Sequence, residues 1–188
     1  GHAVVMHCLP GQDPVNQITI VPRGMAGGMT ISLPTEDKAY LSKKELEERI
    51  AVCLGGRLAE ELVLRDVSTG ASSDIQKASE LARAMVTKYG MSEKLGAIAY
   101  GSESDEIFLG RSMAQARTYS EEVAAQIDQE VKHIIEQAHA RCRDILTQHR
   151  HELDITARYL LDHETMDAQT FDHVFTQPDD PELAGYQE

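Results

Sequence analysis

One long apolar stripe constrains the fold more than any other feature of the sequence. Between about residues 119 and 149, apolar side chains recur at intervals of three and four for roughly eight turns. This spacing places them on one face of a helix that would be roughly 45 Å long at 1.5 Å per residue. The positions are Val123, Ile127, Val131, Ile134, Ile135, Ala138, Cys142, Ile145 and Leu146.

A second helix is predicted over roughly residues 43–63. Ser42 and Glu45 have the spacing of a capping box, in which each side chain bonds the backbone N–H of the other residue. Gly55 and Gly56 interrupt the apolar pattern of this helix, although each glycine costs about 1 kcal/mol inside a helix. The pair therefore predicts that another backbone packs closely there.

The remaining pattern completes a mainly α fold with a small β-hairpin or sheet. Apolar and polar residues alternate on both sides of a glycine-rich connection between Val15 and Leu33, which is typical of a hairpin. Residues 2–8 are apolar and predict the tail of a helix that Pro10-Gly11 ends. Further helices are predicted at about 74–88, 152–162 and 167–175, the last two forming a short C-terminal helical subdomain.

A chain of 188 residues is long enough for one sizeable core. We expect residues 1–176 to form one domain. Residues 177–188 form an acidic, proline-containing tail, for which the composition predicts disorder.

Composition excludes several functions. The net charge of −13 argues against nucleic-acid binding, because phosphate recognition needs a clustered basic surface. No run of about eighteen apolar residues occurs, so we expect no membrane contact by this segment. Cys8, Cys53 and Cys142 form no CxxC pair, and we interpret them as small apolar residues in a reducing compartment.

Two polar residues are candidate metal ligands. Zinc hydrolases often carry two histidines four residues apart on one helix, with a glutamate directly after the first as general base. Gly1-His2 would be the end of such a His-Glu-x-x-His run. Asp74 opens a helix, where a carboxylate can bind a metal or serve as an N-cap. Taken alone, His2 is a weak signal, because an isolated histidine of this kind is more often a solvated or capping residue than a metal ligand.

Ordered blocks along the chain, extending to about residue 175, resemble the peptidase domain of the FtsH-type membrane-anchored AAA+ zinc metalloproteases. The Thr69-Gly70-Ala71-x-x-Asp74 block is the most diagnostic of them. The matching segments are Gly1-His2-Ala3, Ile20-Val21-Pro22-Arg23-Gly24, Leu54-Gly55-Gly56-Arg57-Leu58-Ala59-Glu60-Glu61, Val67-Ser68-Thr69-Gly70-Ala71-Ser72-Ser73-Asp74, Met85-Val86-Thr87-Lys88-Tyr89-Gly90-Met91-Ser92 and Phe108-Leu109-Gly110-Arg111-Ser112.

The resemblance implies a zinc site. His2 would be the second histidine ligand and Asp74 the third protein ligand, with a water at the fourth position. Zinc and a glutamate would activate that water to attack a peptide carbonyl. The first histidine and this glutamate would precede Gly1, so the chain is expected to be truncated inside the motif. We therefore expect no catalytic residue within these 188 residues and no activity from them alone.

Two further groups of residues are candidates near this site. Glu60 and Glu61 could act as hydrogen-bond acceptors around the metal, or could be a solvated or salt-bridged pair. The strand that contains Gly28, Met29, Thr30 and Ile31 resembles the family's edge strand, where main-chain hydrogen bonds would hold a substrate. An ordinary structural hairpin explains the same pattern.

The resemblance also implies a larger assembly. The chain would be the proteolytic domain of an ATP-dependent homo-hexamer that degrades unfolded, damaged or regulatory membrane and cytosolic proteins. ATP would bind only in an AAA+ module N-terminal to this chain. The parent protein would be membrane-anchored, with this domain soluble on the cytoplasmic side. The alternative is a metal-free helical scaffold for ring formation, a pseudo-peptidase, which the residues upstream of Gly1 would distinguish.

Overall fold

The computed structural model describes residues 1–22, 27–34, 39–100, 119–177 and 180–186. These residues form a mainly α fold with a small antiparallel sheet, which confirms the predicted fold class. The helices are α1 (His2–Cys8), α2 (Lys43–Leu64), α3 (Ser72–Thr87), α4 (Glu121–Gln148), α5 (Arg150–His163) and α6 (Ala168–Thr176).

Helix α2 lies at the centre of the domain and contacts α1, α3 and α4. It begins with the predicted capping box: the Ser42 Oγ accepts from the Glu45 backbone, and the Glu45 side chain accepts from the Ser42 backbone. Ile50 and Leu58 on α2 are fully buried and join the core to which the stripe of α4 contributes. The predicted stripe is therefore the face that α4 packs against its neighbours.

The sheet has three strands in the order β2-β1-β3. Strands β1 (Val15–Thr19) and β2 (Met29–Ser32) form the predicted hairpin, and β3 (Thr165–Asp167) pairs with the other edge of β1. The sequence analysis missed β3 because three residues leave no measurable alternation. Within the described residues β2 pairs only with β1, so its other edge is open.

A buried carboxylate fixes the turn that follows α1. The side chain of Glu48, on α2, is fully buried. It accepts from the Gly11 backbone N–H at 2.8 Å and from the Arg141 guanidinium at 3.1 Å. Because removing either donor would leave a buried carboxylate short of partners, this contact fixes the exit of α1 against both α2 and α4.

Part of the predicted tail, residues 180–186, packs against the helices in the structure. Leu183 is fully buried, and a short 3-10 helix spans Ala184–Tyr186. The Tyr186 hydroxyl donates to Asp162 on α5 at 2.9 Å. The acidic, proline-containing composition pointed to disorder, but one well-placed leucine is enough to dock the segment. The division into residues 1–176 and 177–188 stays a prediction.

Some predictions fall on residues that the structure does not describe. They are the Phe108–Ser112 block, Arg23-Gly24 and part of the glycine-rich connection of the hairpin. In the described part of the chain, the helices are too short or too polar to cross a bilayer.

Candidate metal centre

The structure brings the two predicted ligands together. The His2 Nε2 lies 3.1 Å from the Asp74 Oδ2, although 72 residues separate them in the chain. His2 begins α1 and Asp74 lies in the first turn of α3. The side chains are 33% and 25% exposed, so the pair is neither sealed in the core nor fully solvated. An imidazole and a carboxylate thus meet in a place that a small ligand can reach.

The glycine pair in α2 makes room for His2. A Cβ on Gly55 would lie 3.0 Å from the His2 backbone nitrogen, and one on Gly56 would lie 2.4 Å from the His2 Cε1. Both distances are at or below the closest that a real Cβ tolerates. The predicted close approach of a second backbone is confirmed, and the approaching segment is the one that carries the candidate ligand.

The surroundings of His2 oppose its protonation. Burial lowers the pKa of His2 below its usual value, while the Asp74 carboxylate and a hydrogen bond with the backbone of Cys53 act in the opposite direction. The neutral imidazole is the form that binds a metal. Metal-ligating histidines typically hydrogen-bond a backbone group through one ring nitrogen and bind the metal through the other.

Asp74 is oriented by its neighbours rather than by helix capping. The N-cap of α3 is Ala71, so the alternative in which Asp74 is the N-cap is wrong. One carboxylate oxygen faces His2, and the other lies 3.6 Å from the Lys77 Nζ one turn further along. The first turn of a helix is a favourable place for an acidic side chain.

Glu60 and Glu61 point to different partners. Glu60 accepts hydrogen bonds from the backbone N–H and the hydroxyl of Ser68, in the turn before α3. Glu61 forms an ion pair with Arg143 on α4. Their role as acceptors around a metal stays a prediction. Ser68 was not predicted as the partner of Glu60, because two residues eight positions apart across a loop leave no periodic pattern in the sequence.

The donor atoms suit zinc. Zinc takes nitrogen and oxygen ligands at about 2.1 Å in tetrahedral geometry, which places two ligand atoms about 3.4 Å apart. The 3.1 Å between the His2 Nε2 and the Asp74 Oδ2 is close to that separation. Among the described residues, no cluster of three or more His, Cys, Asp or Glu side chains could hold a metal. The chemistry and spacing of the two side chains are compatible with two positions of a tetrahedral zinc ion, and their assignment as ligands stays a prediction.

The strand β2 presents an open edge and an exposed face. Met29 is 41% exposed, and Thr30 and Ile31 are partly exposed. Gly28 directly precedes the strand, where a Cβ would lie 2.8 Å from the Thr19 carbonyl oxygen. This glycine therefore allows the hairpin backbones to approach closely, and the backbone groups on the outer edge of β2 remain free of another strand in the described region.

The site brings together side chains of the kind that metal-dependent hydrolases use. His2 and Asp74 come from separate helices and lie at a spacing compatible with two ligands of one metal ion. The chain belongs to peptidase family M41, whose family profile matches residues 1–174.

Similar proteins carry consistent names. The chain is 53% identical over 176 residues to the "ATP-dependent zinc metalloprotease FtsH 2" of Alkaliphilus metalliredigens, covering 94% of this chain and 26% of that protein. It is 50% identical over 179 residues to the "ATP-dependent zinc metalloprotease FtsH 1" of Thermoanaerobacter sp., covering 95% and 29% respectively. It is also 50% identical over 183 residues to the "ATP-dependent zinc metalloprotease FtsH" of Caldicellulosiruptor bescii, covering 97% and 30%. The chain thus spans less than a third of these relatives.

Proposed function

We propose that this chain is the proteolytic domain of an ATP-dependent zinc metalloendopeptidase, with His2 and Asp74 as two of three protein ligands. The observation that carries the proposal is the 3.1 Å approach of the His2 Nε2 to the Asp74 Oδ2 in a chain of this peptidase family. The names of the similar proteins support zinc and ATP dependence.

The residues of this chain would hold and tune the metal. Zinc at this site would supply Lewis acidity and lower the pKa of a bound water. His2 would offer its neutral Nε2, because burial opposes protonation. Asp74 would contribute one carboxylate oxygen, and its other oxygen lies 3.6 Å from the Lys77 Nζ. Gly56 keeps space for the ring of His2 against α2.

The open edge of β2 would hold the substrate. A polypeptide that adds as a further strand makes main-chain hydrogen bonds, which read little of the side-chain sequence. Gly28, Met29, Thr30 and Ile31 would supply these backbone groups. Low sequence selectivity suits an enzyme that degrades many unfolded, damaged or regulatory proteins.

We further propose that these 188 residues are inactive alone. The family motif places the first histidine ligand and the general-base glutamate upstream of Gly1, and hydrolysis without that base lacks a proton acceptor. A peptidase assay should detect no casein cleavage above background with the 188 residues, and cleavage with the full-length protein. Cleavage by the purified 188 residues would contradict this expectation.

The same proposal extends to the whole protein. The domain would work with an N-terminal AAA+ module that binds ATP, in a homo-hexamer anchored to the membrane with this domain on the cytoplasmic side. The names of the relatives support the ATP dependence, and their greater length leaves room for such a module.

Zinc analysis of the full-length protein tests the metal site directly. We expect one zinc per subunit in the wild type and strong loss of zinc in Asp74→Ala, because two protein ligands cannot replace three. Glu80→Ala is a matched control, since Glu80 is an exposed acid on the same helix and bonds Gln76. Absence of zinc from the wild type would overturn the proposal and favour the metal-free scaffold.

A further inference from the structure

We propose that Glu60 is a positioning residue, which fixes the turn carrying Asp74 against the helix that seats His2. The inference rests on the proposed function, because it concerns the geometry of the same zinc pair. The Glu60 Oε2 accepts from the Ser68 backbone N–H at 2.9 Å, and its Oε1 accepts from the Ser68 hydroxyl at 3.1 Å. One carboxylate therefore holds one residue at two points.

Ser68 determines where α3 begins. Its Oγ also accepts from the Gly70 backbone N–H at 3.2 Å and so starts the 3-10 turn Thr69–Ala71. That turn continues directly into α3, whose first turn contains Asp74. A shift of Ser68 would therefore move the start of α3 and the carboxylate that it presents to His2.

Helix α2 is the common base for both ligands. Gly56 lies against the His2 ring, and Glu60 lies four residues further along the same helix. Four residues correspond to about 6 Å of rise, just over one turn. Because one rigid turn joins these contacts, the spacing between His2 and Asp74 is fixed by α2 rather than by the loop alone.

The contact between Glu60 and Ser68 is local, so an effect on the position of Asp74 can be distinguished from an effect on the stability of the whole fold. The Glu60–Ser68 hydrogen bonds are solvent-exposed, so they contribute little to the global free energy of unfolding. A two-point, charge-assisted bond nevertheless fixes orientation. Residues that orient metal ligands typically change metal affinity 10- to 100-fold when they are removed. Loss of Glu60 should therefore weaken zinc binding while the melting temperature changes little.

The test uses the full-length protein and a zinc chelator titration. Relative to the wild type, Glu60→Ala and Ser68→Ala should each hold zinc about 10-fold more weakly, and the double variant about as weakly as either single one. Glu60→Gln should recover most of the affinity, since its amide can accept from the Ser68 N–H and donate to the hydroxyl. The control Glu80→Ala removes a carboxylate from α3 instead of α2, and its zinc affinity should equal that of the wild type.

A second measurement is independent of zinc. In the metal-free protein, the backbone amides of residues 68–71 should exchange hydrogen faster in Glu60→Ala than in the wild type, while those of α2 remain unchanged. Wild-type zinc retention by Glu60→Ala, additive losses in the double variant, or a general fall in melting temperature would each overturn the inference. A wild type without zinc would instead refute the proposed function, and the inference with it.

Discussion

At the scale of single residues, the candidate site depends on the missing side chain of Gly56 in α2 as much as on the two polar side chains. Gly56 has no Cβ, and that space is filled by the His2 ring. The ring can rotate, whereas the backbone against Gly55 cannot. A substitution at Gly56 should therefore disturb the ligand before it disturbs the fold.

Gly56→Ala is predicted to weaken zinc binding about 10-fold or more in the full-length protein. The new Cβ would lie 2.4 Å from the His2 Cε1, so the ring must leave its position. Alanine is favoured over glycine in helices by about 1 kcal/mol, which offsets the strain on folding. A chelator titration measures the affinity and urea unfolding measures the stability.

Gly185→Ala is the matched control, because no atom lies within 4 Å of a Cβ at that position. Zinc affinity in this variant should equal that of the wild type. If Gly56→Ala bound zinc as tightly as Gly185→Ala, the close packing of His2 on α2 would have no part in metal binding.

At the scale of elements, the helices were predictable because their signals are local. The stripe predicted a helix over about 119–149, and α4 spans Glu121–Gln148. The capping box predicted a start at residue 43, and α2 begins at Lys43. By contrast, the three residues of β3 are too few to show an alternating pattern. The contact between His2 and Asp74 joins residues that are 72 positions apart, so no local pattern predicts it. Only the family resemblance indicated that these two belong to one site.

A buried acid on α4 makes one contact between elements depend on pH. The Ser92 hydroxyl donates to the Glu130 Oε2 at 2.7 Å, and the Lys94 Nζ lies 3.2 Å from the Oε1. The Ser92 hydrogen bond, assisted by Lys94 and opposed by burial, lowers the pKa of Glu130 below its usual value of 4.5. The charged form is therefore favoured in the folded protein.

This shift predicts acid sensitivity of folding. Since the pKa is lower in the folded than in the unfolded state, the stabilisation is complete above about pH 5 and is lost as pH falls through the folded value. The free energy of unfolding should fall less between pH 6 and pH 3 in Glu130→Gln than in the wild type. Urea unfolding at several pH values in this range measures the free energy of unfolding. Glu136→Gln, at an exposed position on the same helix, should keep the wild-type slope.

At the scale of the whole molecule, residues 180–186 pack against the helices although their composition predicted disorder. Leu183 belongs to the same buried apolar cluster as the helices, and the Asp180 carboxylate is hydrogen-bonded to His173 on α6. Composition averages over a segment, whereas docking depends on a single side chain that reaches the core. An acidic, proline-containing stretch can therefore be ordered when one apolar residue in it finds a pocket.

Leu183→Ala is predicted to destabilise the docking of residues 180–186 by about 2 kcal/mol, the lower end of the cost of truncating a buried leucine. The loss stays near that lower end because the short segment that carries Leu183 can detach while the helices remain folded. Limited proteolysis should therefore cut the variant near residues 178–186 well before the helical core. Glu182→Ala, at an exposed neighbouring position, should resist cleavage like the wild type. Equal resistance of Leu183→Ala and Glu182→Ala would mean that the segment is held by the hydrogen bonds of Asp180 and Tyr186 instead of by burial of Leu183.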